Sequence, residues 1–208
     1  MMNTGFSSPW VSMWLHPRRT IRQIVDTDPD RKVLLLAAIA GIGEVLNKAS
    51  TKSTGDHLSL VAILLLAVIV GPLGGVISLY IGGALLRWTG NWIGGRAEAR
   101  DIRSANAWSS VLAIWAMLLW LPELLFFGKE MFTTETPNVD ASISLTILFW
   151  AFAAIEVILG VWTLVVFLKC LGEVQGFSAW KALGNCVLVG LVFLVPILGI
   201  VGLAMLFR

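Results

Sequence analysis

Charged residues are scarce in this chain: 13% of its 208 residues are Asp, Glu, Lys or Arg, whereas 57% are hydrophobic. That balance excludes an ordinary soluble domain and places the chain in a membrane. The net charge of +2 is small and no dense basic run is present, so nucleic acid is excluded as a partner. There are only two cysteines, Cys170 and Cys186, without metal-ligand or CxxC spacing, and they read as unpaired thiols serving as small apolar side chains. The two histidines, His16 and His57, fall on opposite expected sides of the membrane, and no Ser or Cys has a placed base. The expectation is a non-enzymatic protein with no metal site and no cofactor. The start "MMNTGFSSPWVSMW" lacks a basic stretch followed by a continuous apolar run and a cleavage site, so the first span is expected to stay in the mature protein.

Long apolar runs, in contrast, are abundant. A spanning helix needs roughly 20 mostly apolar residues, and five stretches qualify or nearly do: 32–49, 58–86, 107–127, 143–168 and 183–207. The expected fold class is an all-α integral membrane protein, a bundle of five transmembrane helices over 32–208. A short amphipathic interfacial segment over 1–31 precedes it. The second run is too long for an upright helix at about 1.5 Å per residue across a core of about 30 Å. It contains "GPLGG", so a kink or break is expected at Gly71, Pro72, Gly74 and Gly75; Pro122 is a second candidate break, in the third run. The Gly71 to Gly75 spacing also permits close helix contact, and without the Lys and Ser/Thr of a P-loop it is not a phosphate cradle.

Basic residues divide unevenly between the connecting segments. Arg18, Arg19, Arg22, Arg31, Lys32, Arg87, Arg96, Arg100, Arg103, Lys169 and Lys181 fall on one side; Lys48, Lys52, Lys129 and Arg208 fall on the other. Cytoplasmic loops are enriched in Lys and Arg, so the amino terminus is expected in the cytoplasm and the carboxyl terminus outside.

Ahead of the first span, Ser8–Pro9 and Pro17 each read as the opening of a short helix. Ile21, Ile24 and Val25 share a face from which Arg18, Arg19 and Arg22 point away, while Trp10 and Trp14 suit the headgroup layer. This segment reads either as a docking face for a partner or anionic lipid, or as an anchor lying in the interface. Asp28 with Pro29 reads as the start of the first spanning helix.

Three segments carry a family resemblance. "SPWVSMWLHPRRTIRQIVDTDPD" resembles the start of bacterial members of the Yip-one family, whose eukaryotic members are Ypt/Rab-interacting membrane proteins. "IGGRAEARDIRSANAWSS" (Ile93 to Ser110) and "LGEVQGFSAWKAL" (Leu171 to Leu183) resemble that family's second-loop and fourth-loop signatures. The resemblance implies a five-helix membrane domain with a cytosolic amino terminus, in a bacterial inner (plasma) membrane. This chain lacks the DLYGP-type motif and the long polar amino-terminal region of the eukaryotic members, so their Rab-linked role does not carry over.

Three carboxylates fall inside apolar runs: Glu44, Glu123 and Glu156, with Asn47 one turn beyond Glu44. A charge at mid-helix costs about 2.5–3.5 kcal/mol on insertion scales, so each needs a partner or a neutral form. Either each is satisfied separately as a structural group, or the three converge with Asn47 on a polar pocket. Two functions therefore stay open. One is a scaffold that organises membrane lipids or binds a protein partner, or a second copy of itself, through its cytoplasmic face. The other is a small transporter or channel for protons, cations or lipid-like molecules centred on Glu156.

Overall fold

The computed structural model of the protein describes residues 8–206, with side chains as far as Val195. The first seven residues of the amphipathic segment, and the end of the fifth run at Phe207 with Arg208, lie outside the described residues. Two short helices, α1 (Pro9–Leu15) and α2 (Pro17–Thr27), come first, and each opens on a proline. Proline is favoured there because its φ suits the first turn and its missing N–H has no partner at that position anyway. Ser8 contributes only its carbonyl, which accepts from the Val11 and Ser12 amides.

Asp28 with Pro29 does not open the first spanning helix. The Asp28 side chain accepts the Asp30 amide at 3.2 Å, a local bond that competes with helix formation, and Lys32 takes a left-handed conformation at φ 56. The first long helix, α3 (Val33–Thr51), starts only after that turn.

Next comes α4 (Leu60–Trp92), opened by Ser59, whose hydroxyl accepts the Ala62 amide at 3.3 Å. It runs unbroken through Gly71, Pro72, Gly74 and Gly75, so no interruption occurs where a break is expected, and it ends beyond residue 86. Gly71 and Gly75 make the close helix contact that their spacing permits. A methyl group on Gly71 would stand 2.7 Å from the Ile42 Cα, and one on Gly75 would stand 2.9 Å from the Gly41 Cα. Backbone therefore meets backbone between α3 and α4.

The third run is built from α5 (Ala99–Ser109), α6 (Val111–Ala116), a 3-10 turn over Met117–Leu119, and α7 (Trp120–Phe127). Pro122 accounts for the tightened turn: it has no N–H for the carbonyl four residues back, and its ring crowds that carbonyl. After α8 (Pro137–Asp140), α9 (Ile143–Gln175) follows from Ser142, whose hydroxyl accepts the Leu145 amide at 3.4 Å. It stops at Gly176, where φ is +76 and the Phe177 amide reaches back to the Gly172 carbonyl at 2.9 Å. That is the Schellman arrangement, for which glycine is the favoured residue. The chain closes with α10 (Ala179–Leu206).

Among the described residues α3, α4, the 99–132 run and α9 are long and apolar enough to cross a membrane, and α10 adds a shorter apolar stretch over Ala179–Val195. At 33 residues each, α4 and α9 extend about 50 Å, so their ends pass beyond the hydrocarbon into the headgroup layers. Their outer faces expose Leu65, Val68, Ile69, Leu73, Ile147, Trp150, Val157 and Ile158, the apolar surface a lipid-facing helix presents.

The densely packed core sits toward the two ends of the bundle. At one end Met13, Ile21, Leu36, Trp108, Leu112 and Val166 form one cluster, and Leu86, Ile102, Leu171 and Ala182 form a second beside it. At the other end Leu46, Ile63, Ala67 and Phe132 pack beneath the loops. There Ser50 donates to the Met131 carbonyl at 2.8 Å, and the Asp56 carboxylate accepts the Thr134 amide at 3.1 Å and its hydroxyl at 2.6 Å.

Two outcomes follow from this packing. Gly75→Leu should separate α3 from α4 and lower stability by about 1–3 kcal/mol. Gly74→Ala, whose methyl meets nothing within 4 Å, should leave stability unchanged or slightly raised, both read by thermal unfolding in lipid nanodiscs. The bonds from Thr134 hold the Asp56 carboxyl below its ordinary value of 3.8. A depressed carboxyl stabilises the fold above that ordinary value and loses the effect as pH falls through the lower folded value. Protection of the Thr134 amide, the slowing of its exchange relative to an unfolded chain at the same pH, should therefore be high at neutral pH and fall on acidification below about pH 4; in Asp56→Asn that acid step should vanish.

Candidate functional site

Between the two packed ends, α3, α7 and α9 do not close on one another. A small cavity, partly open to the outside, lies there, with Asn47 from α3, Trp120 and Glu123 from α7, and Phe149, Phe152 and Glu156 from α9 on its walls. The spacing explains the convergence. Phe149, Phe152 and Glu156 recur at the three- and four-residue steps that share one face of a helix, as do Trp120, Glu123 and Phe127. Phe127 also packs edge-on against Phe149 at 5.4 Å and Phe152 at 6.2 Å, which seats α7 on α9 and brings Glu123 to the side where Glu156 points.

A second, larger and more open cavity adjoins the first and shares Asn47, Trp120 and Glu156 with it. Glu44 lines this second space, together with small residues such as Ala113, Ala116 and Gly160. The four polar residues singled out in the sequence thus lie along one continuous region, with Glu156 and Asn47 common to both cavities.

Their electrostatic states differ. Glu44 is exposed and pairs with Lys48 one turn on, at 2.9 Å. Such a pair adds little stability, but it does cancel the charge. Glu123 is only 4% exposed, and its Oε1 finds no hydrogen-bond partner among the described residues. The neighbouring charge it feels is that of Glu156, which repels it. Two carboxylates facing one cavity without a cation from the protein form a site suited to a positive charge.

The candidate residues before the first span are placed differently. Ile21 is fully buried, and Met13 lies beside the Cys170 thiol, which donates to the Met13 sulfur at 3.6 Å. Trp10 sits edge-on against Trp108 at 6.2 Å, and Trp14 packs on the same cluster. Arg22 donates to the Glu173 carboxylate at 3.1 Å and to its carbonyl at 2.9 Å, with Arg18 3.6 Å from the same carboxylate. Arg19 is exposed. The apolar face of α2 is thus used against α5 and α9 inside the molecule, where partners enough exist to bury it, and Ile21 is not available as a docking residue.

A further polar group went unread in the sequence. Thr89 donates to the Asn185 side-chain oxygen at 2.6 Å, and Asn185 and Gln175 both donate to the Leu86 carbonyl, at 2.9 and 3.2 Å. All three residues are buried, and Gly90 has no side chain because Gln175 occupies its space. This knot ties α4, α9 and α10 together at the end occupied by α2. Its signal was present, since Gln175 lies within the fourth-loop segment and Asn185 within the fifth apolar run. Asn185→Ala should remove two of these bonds, leaving Thr89 the Leu85 carbonyl and the Leu86 carbonyl its Gln175 donor, and cost about 1 kcal/mol in nanodisc unfolding, with both cavities unaffected.

Comparison with known proteins agrees with this architecture. Residues 11–200 match the family model described as the Yip1 domain. No curated protein and no solved structure matches the chain.

Proposed function

From the premise that the chain belongs to the Yip1 domain family and is an integral membrane protein, we propose that it is a non-enzymatic carrier that binds a positively charged ligand within the bundle. The observation that carries this reading is the pair Glu123 and Glu156 on one cavity, with no protein cation answering either among the described residues. In a membrane such groups mark substrate or ion pathways more often than they stabilise a fold, because leaving them there is costly. Asn47 supplies an adaptable amide at the junction of the two cavities.

The arrangement of basic residues supports an orientation with the amino terminus in the cytoplasm and the carboxyl terminus outside. Lipid surrounds the exposed apolar faces of α4 and α9. A partner-binding role for the first two helices draws no support from their contacts, since Ile21 is buried and Arg18 and Arg22 are engaged by Glu173.

The test is flux in proteoliposomes that hold the full chain, with a pH-sensitive dye inside and a cation gradient imposed. Wild type should dissipate the gradient faster than empty liposomes, and Glu156→Gln should lose roughly tenfold or more of that rate. Equal rates for wild type, Glu156→Gln and empty liposomes would overturn the carrier reading.

A further inference from the structure

The carrier reading leaves the ligand class open, and the walls of the site narrow it. We infer that the cavity between α3, α7 and α9 binds an organic ammonium ion bearing an apolar substituent; the inference rests on the carrier reading for the site but makes a separate claim about its occupant.

Besides Glu123 and Glu156, the walls of the inner cavity carry the rings of Trp120, Phe127, Phe149 and Phe152. Aromatic faces attract alkylammonium groups and replace the weak hydration such groups lose. A small hard cation asks for something else, namely six or more oxygens at close range. The side-chain oxygens on this cavity come from Glu123, Glu156, Asn47 and Ser50, and the Ser50 hydroxyl is already directed to the Met131 carbonyl. Rings make up much of the remaining wall.

Glu123 points to the same class of ligand. It is almost wholly buried, lines the cavity and holds an oxygen without a hydrogen-bond partner among the described residues. A buried acceptor of this kind has to be answered by a donor or a positive charge, and an ammonium head supplies either.

The space next door has a shape that suits the rest of such a molecule. Residues that line the second cavity include Ala40, Gly43, Ala113, Ala116 and Gly160, side chains small enough to leave a channel between α3, α6 and α9. Glu44 is there too, but Lys48 neutralises it. The two acids without a protein cation therefore sit at one end of a mostly apolar groove, the complement of a molecule with a cationic head and a hydrocarbon tail.

The experiment is calorimetric titration of the full-length protein in lipid nanodiscs, with empty nanodiscs subtracted, using octyltrimethylammonium, tetramethylammonium, octanesulfonate and sodium chloride. Octyltrimethylammonium should bind saturably, octanesulfonate of the same chain length should not, and sodium should compete weakly or not at all. Glu123→Gln and Glu156→Gln, which keep the size of the side chain, should each weaken octyltrimethylammonium by about tenfold or more. Gly160→Phe should weaken it more than it weakens tetramethylammonium. The comparison between cation and anion is made on wild type, so it stands even where a variant fails to fold. Equal binding of octanesulfonate, or undiminished binding in both glutamine variants, would overturn the inference. Glu156-dependent flux of protons or sodium without octyltrimethylammonium binding would overturn it and leave the carrier reading intact; loss of both would remove the two together.

Discussion

Inside a bilayer no water completes a hydrogen bond, so every polar group carried into the hydrocarbon has to be answered by the protein. Most of this molecule obeys that constraint in plain ways. Thr163 donates to the Leu159 carbonyl at 2.8 Å on its own helix, the Trp108 ring N–H donates to the Arg31 carbonyl at 3.1 Å, Asn185 and Gln175 both donate to the Leu86 carbonyl, and Thr89 donates to Asn185. Against that background the carboxylates of Glu123 and Glu156 stand apart. Like Ser104 Oγ and Gln175 Oε1, Glu123 Oε1 is buried without a partner among the described residues, but Glu123 lies on a pocket wall that a second acid, Glu156, shares.

The packing shows how that place is kept open. Tight contact is concentrated at the ends, where α1, α2 and the loops add side chains to the clusters, and along α3 and α4, where glycines let the backbones touch. Midway, α9 is braced against α7 by Phe127, Phe149 and Phe152 rather than drawn onto α3. The hollow is a consequence of where large and small residues fall, and Pro122 contributes by tightening the chain just before α7 begins.

The long helices were legible because an apolar run of that length has no place in a water-soluble chain and fits the thickness of a bilayer. Their ends were less so: α4 and α9 continue past residues 86 and 168 into segments with Arg87, Trp88, Lys169 and Glu173, where hydropathy falls although the helix does not stop. Gly71 and Gly75 left two readings open, a break and a close contact, and the contact is the one found. A helix break and a close approach leave the same mark in a sequence, and only the position of Gly41 on the neighbouring helix separates them. The acids of the candidate site could be read individually, since a carboxylate in an apolar run is costly enough to stand out by itself. Trp120, Phe149 and Phe152 could not, because an aromatic residue in a membrane helix faces lipid as readily as it faces a cavity.

The clasp between Arg22 and Glu173 joins residues 151 positions apart. During synthesis α2 emerges before any of the long helices, yet α9, which holds Glu173, is nearly the last of them to be made. The contacts of α2 with α5 can form once the third apolar run has been made, but its clasp with Glu173 has to wait for the far end of α9, so the end of the bundle is closed only after four apolar stretches have entered the bilayer.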